Sequence, residues 1–193
     1  YDFSGQLKKS EIKFTKSIKN SYIDEELSKI FLSDSKINFR LSPKILKLDG
    51  VGDYSFDNVE FSKFDLKNEL FDDQLNFIAN FDYRNTINID LINYKKPKLT
   101  NAKIFLDFKK NKDFTNIKKI NFVEKNNLIN FENLKFKNNS LLSFKTAKIK
   151  TLNNDFSITW DKKILIKGNK FDAVFLPKFL NQKINGNVLK EIN

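Results

Sequence analysis

Acid–base, nucleophilic or metal chemistry needs side chains that this sequence mostly lacks. Among its 193 residues there is no His, no Cys and no Met. Imidazole and thiolate catalysis and every Cys/His metal spacing are thereby excluded. Five glycines are too few for a Gly-rich phosphate cradle. Two local patterns remain. Asp24-Glu25-Glu26 is a carboxylate cluster, but carboxylates are also favoured at a helix N-terminus, and the run reads as a solvated helix start. Asn138-Asn139-Ser140 matches a glycosylation triplet, a common match that requires a secretory setting nothing here argues for. No catalytic residue, metal ligand or cofactor is assigned, and a non-enzymatic role is expected.

The chemistry that is present is one-sided apolarity. Leu75, Phe77, Ala79, Phe81 and Tyr83 alternate with Asn76, Asn80, Asp82 and Arg84. Ile87, Ile89 and Leu91 alternate with Asn88 and Asp90, and Ala102, Ile104, Leu106 and Phe108 with Lys103, Asp107 and Lys109. Successive side chains on a strand point to opposite faces, so each segment has one oily and one wet face. Leu75, Phe77, Phe81, Ile87, Ile89, Leu91, Ile104, Leu106 and Phe108 therefore form the candidate binding surface. Its natural ligand is an acyl chain: at ~0.8 kcal/mol per buried methylene, roughly fifteen methylenes contribute ~12 kcal/mol before ordering costs. The same alternation would serve the filled core of a β-sandwich or closed barrel acting as a scaffold or adhesin, and alternation alone leaves both open.

The elements that must position this face are strands of an antiparallel meander. The same scheme precedes it at Ile12 with Phe14, Ile37 with Phe39 and Leu41, Leu46 with Leu48, and Val59 with Phe61 then Phe64 with Leu66, and weaker versions follow at Phe131 to Phe136, Phe156 to Trp160, and Ile164 with Ile166. Phase slips at Ile117 to Ile120, Phe131 to Leu134 and Phe144 to Ala147 predict β-bulges, because a one-residue slip otherwise turns the oily side outward. Asp49-Gly50, Lys95-Lys96-Pro97, Lys110-Asn111-Lys112, Lys125-Asn126-Asn127, Asn138-Asn139, Asn153-Asn154 and Asp161-Lys162-Lys163 read as hairpin corners. The spacing of strand plus turn gives a mainly β fold, a long antiparallel meander that either curves into a groove or open barrel or packs as a sandwich or closed barrel. Short helices are expected near residues 24–32, with Leu27, Ile30 and Phe31 on one face, and near 172–182, with Asp172 as N-cap and Pro177 shortening it. The expected organisation is an N-terminal strand and helix over 1–35, the meander over 36–168, and a terminal helix and tail over 169–193.

The formal charge of +11 raises nucleic acid as a partner. Only Arg40 and Arg84 are arginines, however, and the Phe side chains alternate away from Lys instead of forming stacking platforms among them. Nucleic-acid binding is not expected. No window is apolar enough to cross a membrane, and the chain reads as part of a longer protein, with any anchor outside it.

The run from Asn154 to Ala173 contains a hairpin, a strand ending in Gly168, and then Phe171-Asp172-Ala173. It resembles the terminal motif of AsmA-like proteins of the YhdP type. The resemblance implies a phospholipid-conducting protein of the Gram-negative cell envelope, anchored in the inner membrane and spanning the periplasm toward the outer membrane. It implies structural roles for the matching residues, Gly168 at a tight backbone turn and Asp172 at a helix cap.

Overall fold

The computed structural model describes residues 1–20 and 22–174. In chain order the strands are β1 (Asp2–Asn20), β2 (Ile23–Leu41), β3 (Ile45–Ser55), β4 (Ser62–Phe71), β5 (Gln74–Tyr83), β6 (Ile87–Ile89), β7 (Tyr94–Lys96), β8 (Ala102–Lys110), β9 (Phe114–Glu124), β10 (Asn127–Lys137), β11 (Ser140–Ser143), β12 (Thr146–Lys150), β13 (Asp155–Asp161) and β14 (Lys163–Lys170), with one 3-10 turn at Asp90–Ile92. Twelve of them form one antiparallel sheet in the order β1-β2-β3-β4-β5-β8-β9-β10-β12-β13-β14, with β11 attached to the end of β10. The sheet does not close into a barrel: β1 and β14 are its two edges. β6 and β7 make a separate two-stranded piece inserted between β5 and β8.

The expected meander is present, but it starts at Asp2 instead of residue 36. The helix expected at 24–32 is part of β2, where Ile30 pairs with Ile12 and Lys29 with Lys13. Eight residues of helix are marginal on their own. A nineteen-residue β1 offers a hydrogen-bonded partner along the whole segment. Asp49-Gly50 is likewise no corner; it lies in the middle of β3, with Gly50 between Ile37 and Leu66. Lys95 and Lys96 are not in a corner either: they belong to β7, paired with Asn88 and Ile87. The helix expected near 172–182 lies outside the described residues beyond Val174; Phe171 to Ala173 have no regular structure.

The corners use left-handed residues where the sequence supplies them. Asp72 and Asp73 (φ 44° and 63°) and Asn138 and Asn139 (φ 49° and 64°) make two-residue turns with both central residues left-handed. That geometry matches the twist of the flanking strands. One of the three phase slips is the expected bulge, and a second is a left-handed kink without a register shift. β9 holds one extra residue against β8 between the Asp107–Lys119 and Phe108–Ile117 pairs, and β10 kinks opposite it at Asn133 (φ 54°). The third, at Phe144 and Lys145, is a break between β11 and β12.

The buried core sits to one side of the sheet. Ile92 and Tyr94 from the insertion pack with Ala102, Phe122, Ile129, Ala147, Ile149 and Phe156 from β8, β9, β10, β12 and β13.

Candidate functional site

Strand pairing places the apolar residues in continuous rows that cross the sheet at right angles to the strands. One row reads Gly5, Ile37, Gly50, Leu66, Ala79, Leu106, Ile120, Phe131, Ala147, Ile158 and Ile166, each paired with the next. Beside it run Phe39, Leu48, Asn68, Phe77, Phe108, Ile117 and Leu134. On its other side run Phe64, Phe81, Ile104, Phe122, Ile129, Ile149, Phe156 and Gly168. None of these positions carries a charge. With strands about 4.8 Å apart, the eleven-strand row is about 48 Å long.

Six of the predicted residues meet on this face. Leu75, Phe77 and Phe81 come from β5, and Ile104, Leu106 and Phe108 from β8; Phe81 pairs with Ile104, and the Phe77 and Phe108 rings stack with centroids 4.9 Å apart. All six are half-buried: neither sealed in a core nor fully in water. Ile87, Ile89 and Leu91 are not on it. Ile87 and Ile89 lie in β6 and pack against the buried core, while Leu91 is exposed on the 3-10 turn. Their short alternation is real, but it belongs to the insertion.

Glycines mark where the face is crowded. A Cβ at Gly52 would lie 2.6 Å from Ser35 Cα, and one at Gly168 would lie 2.5 Å from Phe156 Cα. Both sites tolerate only a missing side chain because a neighbouring strand approaches closely. Gly168 is thus not at a turn; it lies within β14, at an irregular pairing beside Asp155 and Phe156.

The strand ends form two margins, and the insertion bridges one of them. Ile92 and Tyr94 lie over β9 to β13, and the tip of the β1–β2 hairpin reaches the other side of the insertion. There Asn88 N–H donates to Tyr22 O (3.0 Å), Asn85 Nδ2 to Glu25 (2.7 Å), and Lys98 Nζ pairs with Glu25 (2.9 Å). Asp24 accepts from Asn88 Nδ2. The acidic run thus holds the insertion instead of starting a helix. On the far side Asn93 Nδ2 donates to Asp172 (2.8 Å), buried Asn154 accepts from Asp172 N–H (2.9 Å) and donates to Ile92 O (2.7 Å), and the Phe171 ring meets Phe156 edge-on at 5.1 Å. Asp172 Oδ1 also accepts from Val174 N–H. Three of the four predicted motif residues, Gly168, Phe171 and Asp172, therefore have structural partners at or near this margin, whereas Ala173 is exposed.

Ionisable groups inside the bridge are displaced from their usual behaviour by burial. Lys96 is fully buried, donating to Asn85 O (2.8 Å) and Pro97 O (3.0 Å), with its Nζ 5.7 Å from the centre of the Tyr83 ring. Burial pulls its ammonium down to about 8, opposed by the charge of Glu124. Tyr83 is pushed up to about 12 by burial, with Glu25 and Asp24 adding to it. Glu124 accepts from Tyr94 OH (3.2 Å) and Asn127 Nδ2 (2.6 Å). No group of His, Cys, Asp or Glu able to hold a metal exists among the described residues.

The opposite face carries the charges. Lys63 bridges Asp53 at 2.8 Å, Lys118 lies 3.6 Å from Asp107, and Lys47 lies 3.6 Å from Asp49. A shallow hollow of about 580 Å³ lies there, lined by Lys36, Lys63, Asp65, Asn80, Asp82 and Lys103 among others. Its alternating signs give no net field for an anion or cation. This hollow is therefore not the most selective surface; the uncharged face is.

No family model matches the chain, and no curated protein or solved structure matches it either.

The candidate surface read from the sequence is too small, and it leaves out the bridge. Phe39, Leu48, Phe64 and Leu66 fit the same alternation as Phe77 and Phe81, and consecutive hairpin pairing joins them to the face. Tyr94 and Lys96 gave no such signal, since β7 has only three residues.

Proposed function

We propose that this chain holds phospholipid acyl chains on its uncharged face and, as a segment of an AsmA-like envelope protein, conducts them between inner and outer membranes across the periplasm. On this reading the membrane anchor lies outside this stretch, and no catalysis is involved. The observation that carries it is the uncharged row from Gly5 to Ile166: the two-stranded insertion packs only at its Ala147 end, and Ile37, Leu66 and Leu106 along the rest of it stay half-buried. A face of this kind binds methylenes without hydrogen bonds, so it accepts chains of varied length and lets them slide. Binding should be read by a fluorescent fatty acid and its displacement by phospholipid. Leu66→Glu, which puts a carboxylate in the middle of the row, should abolish the signal, whereas Ile78→Glu on the charged face should not. Equal binding by both variants would refute the groove.

A second reading has one observation in its favour. Ile92 and Tyr94 fill the space above Phe122, Ile129 and Phe156 with the protein's own side chains. If that filling extended over Phe77 and Leu106 in solution, the chain would be a scaffold with an ordinary core, and neither variant would bind dye.

A further inference from the structure

We propose that the unbridged margin, where β8, β9, β10 and β11 turn, docks on the surface of an anionic lipid bilayer. The proposal rests on the acyl-chain reading above and adds the partner from which such chains would come. Three features meet there. Phe114, Leu141 and Leu142 are exposed at the strand ends (37%, 37% and 47%), although a turn has no folding reason to present them to water. Lys110, Lys112 and Lys137 surround them, and none forms an ion pair among the described residues; Lys137 lies over the Phe114 ring at 5.5 Å. The one carboxylate among these turns is Asp113. Apolar side chains ringed by lysine are suited to the boundary between headgroups and acyl chains: the rings and Leu side chains enter, and the ammonium groups stay with the phosphates.

At the bridged margin Leu99 and Leu152 are exposed as well, but the lysines beside them are engaged: Lys98 is taken up by Glu25 and Lys170 by Leu152 O. A protein partner for the patch would have to supply both a greasy surface and several carboxylates, whereas an anionic bilayer supplies both by composition.

The test is flotation of the full chain with vesicles of phosphatidylcholine alone or mixed with phosphatidylglycerol, with fatty-acid dye binding measured on the same samples. The chain should float with the anionic vesicles and not the neutral ones. Neutralising Lys110, Lys112 and Lys137 to Gln should weaken flotation about fivefold per lysine, and L141S/L142S should remove the part that survives added salt. Leu152→Ser at the bridged margin should change nothing. Absence of flotation, flotation on neutral vesicles alike, or equal loss with Leu152→Ser would overturn the docking. Dye binding without flotation leaves the groove standing and removes only the docking; flotation without dye binding does the reverse.

Discussion

The two margins of this sheet are built from the same strands and treated in opposite ways. At the bridged margin the β1–β2 tip, the insertion and the segment after β14 are tied together through Glu25, Asn154 and Asp172, above a core around Phe122. At the other margin short turns of one to three residues end the strands and leave Phe71, Phe114 and Leu142 exposed. The difference teaches where the stability of an open sheet comes from. A single layer leaves its apolar face partly in water, so further burial comes only where something packs on that face, and here the packing is concentrated at one margin. The rest of the face is left available.

The sharpest way to break this comparison is to truncate one aromatic at each margin. Phe122→Ala should cost about 3–5 kcal/mol by urea unfolding, whereas Phe114→Ala should stay within about 0.5 kcal/mol. Similar losses would mean that the margins do not differ. Next in size is the buried ammonium. Because Lys96 releases its proton at about 8 in the fold and only near 10.5 when unfolded, the unfolded state binds more protons between those values. Stability should therefore rise with pH across that window relative to Lys96→Met, by on the order of 2–3 kcal/mol. Above about pH 10 the raised Tyr83 acts in the opposite sense, since the fold then retains a proton that the unfolded chain has lost. Unfolding curves of both proteins at several pH values would show it; parallel curves would mean that Lys96 is solvated. Asn154→Ala should cost about 1–3 kcal/mol by leaving buried groups unpaired and should loosen the Asp172 segment in hydrogen exchange. Lys98→Ala, removing an exposed ion pair, should cost only about 0.2–1 kcal/mol.

What was legible in the sequence follows the same division. The strands through Leu75–Phe81 and Ala102–Phe108 could be read because they have one wet face, which makes a period of two visible. The turn at Asn138-Asn139 could be read from the tolerance of Asn for left-handed backbone; Asp72-Asp73 uses the same conformation but is not among the expected corners. The 24–32 segment misled because Leu27, Ile30 and Phe31 fit a helical stripe, while its actual partner, Ile12 to Lys13, lies in another strand. The insertion was illegible for a different reason. Ile87 and Ile89 alternate like the strands around them, and only the skipped pairing of β5 with β8 shows that they left the sheet.

The most direct measurement is site-resolved capture. Photo-reactive residues placed at Phe77 and Leu106 should crosslink phospholipid during expression, while the same residues at Asn76 and Asp107, one step along the same strands, should not. Equal capture at the two sets of positions would contradict the account.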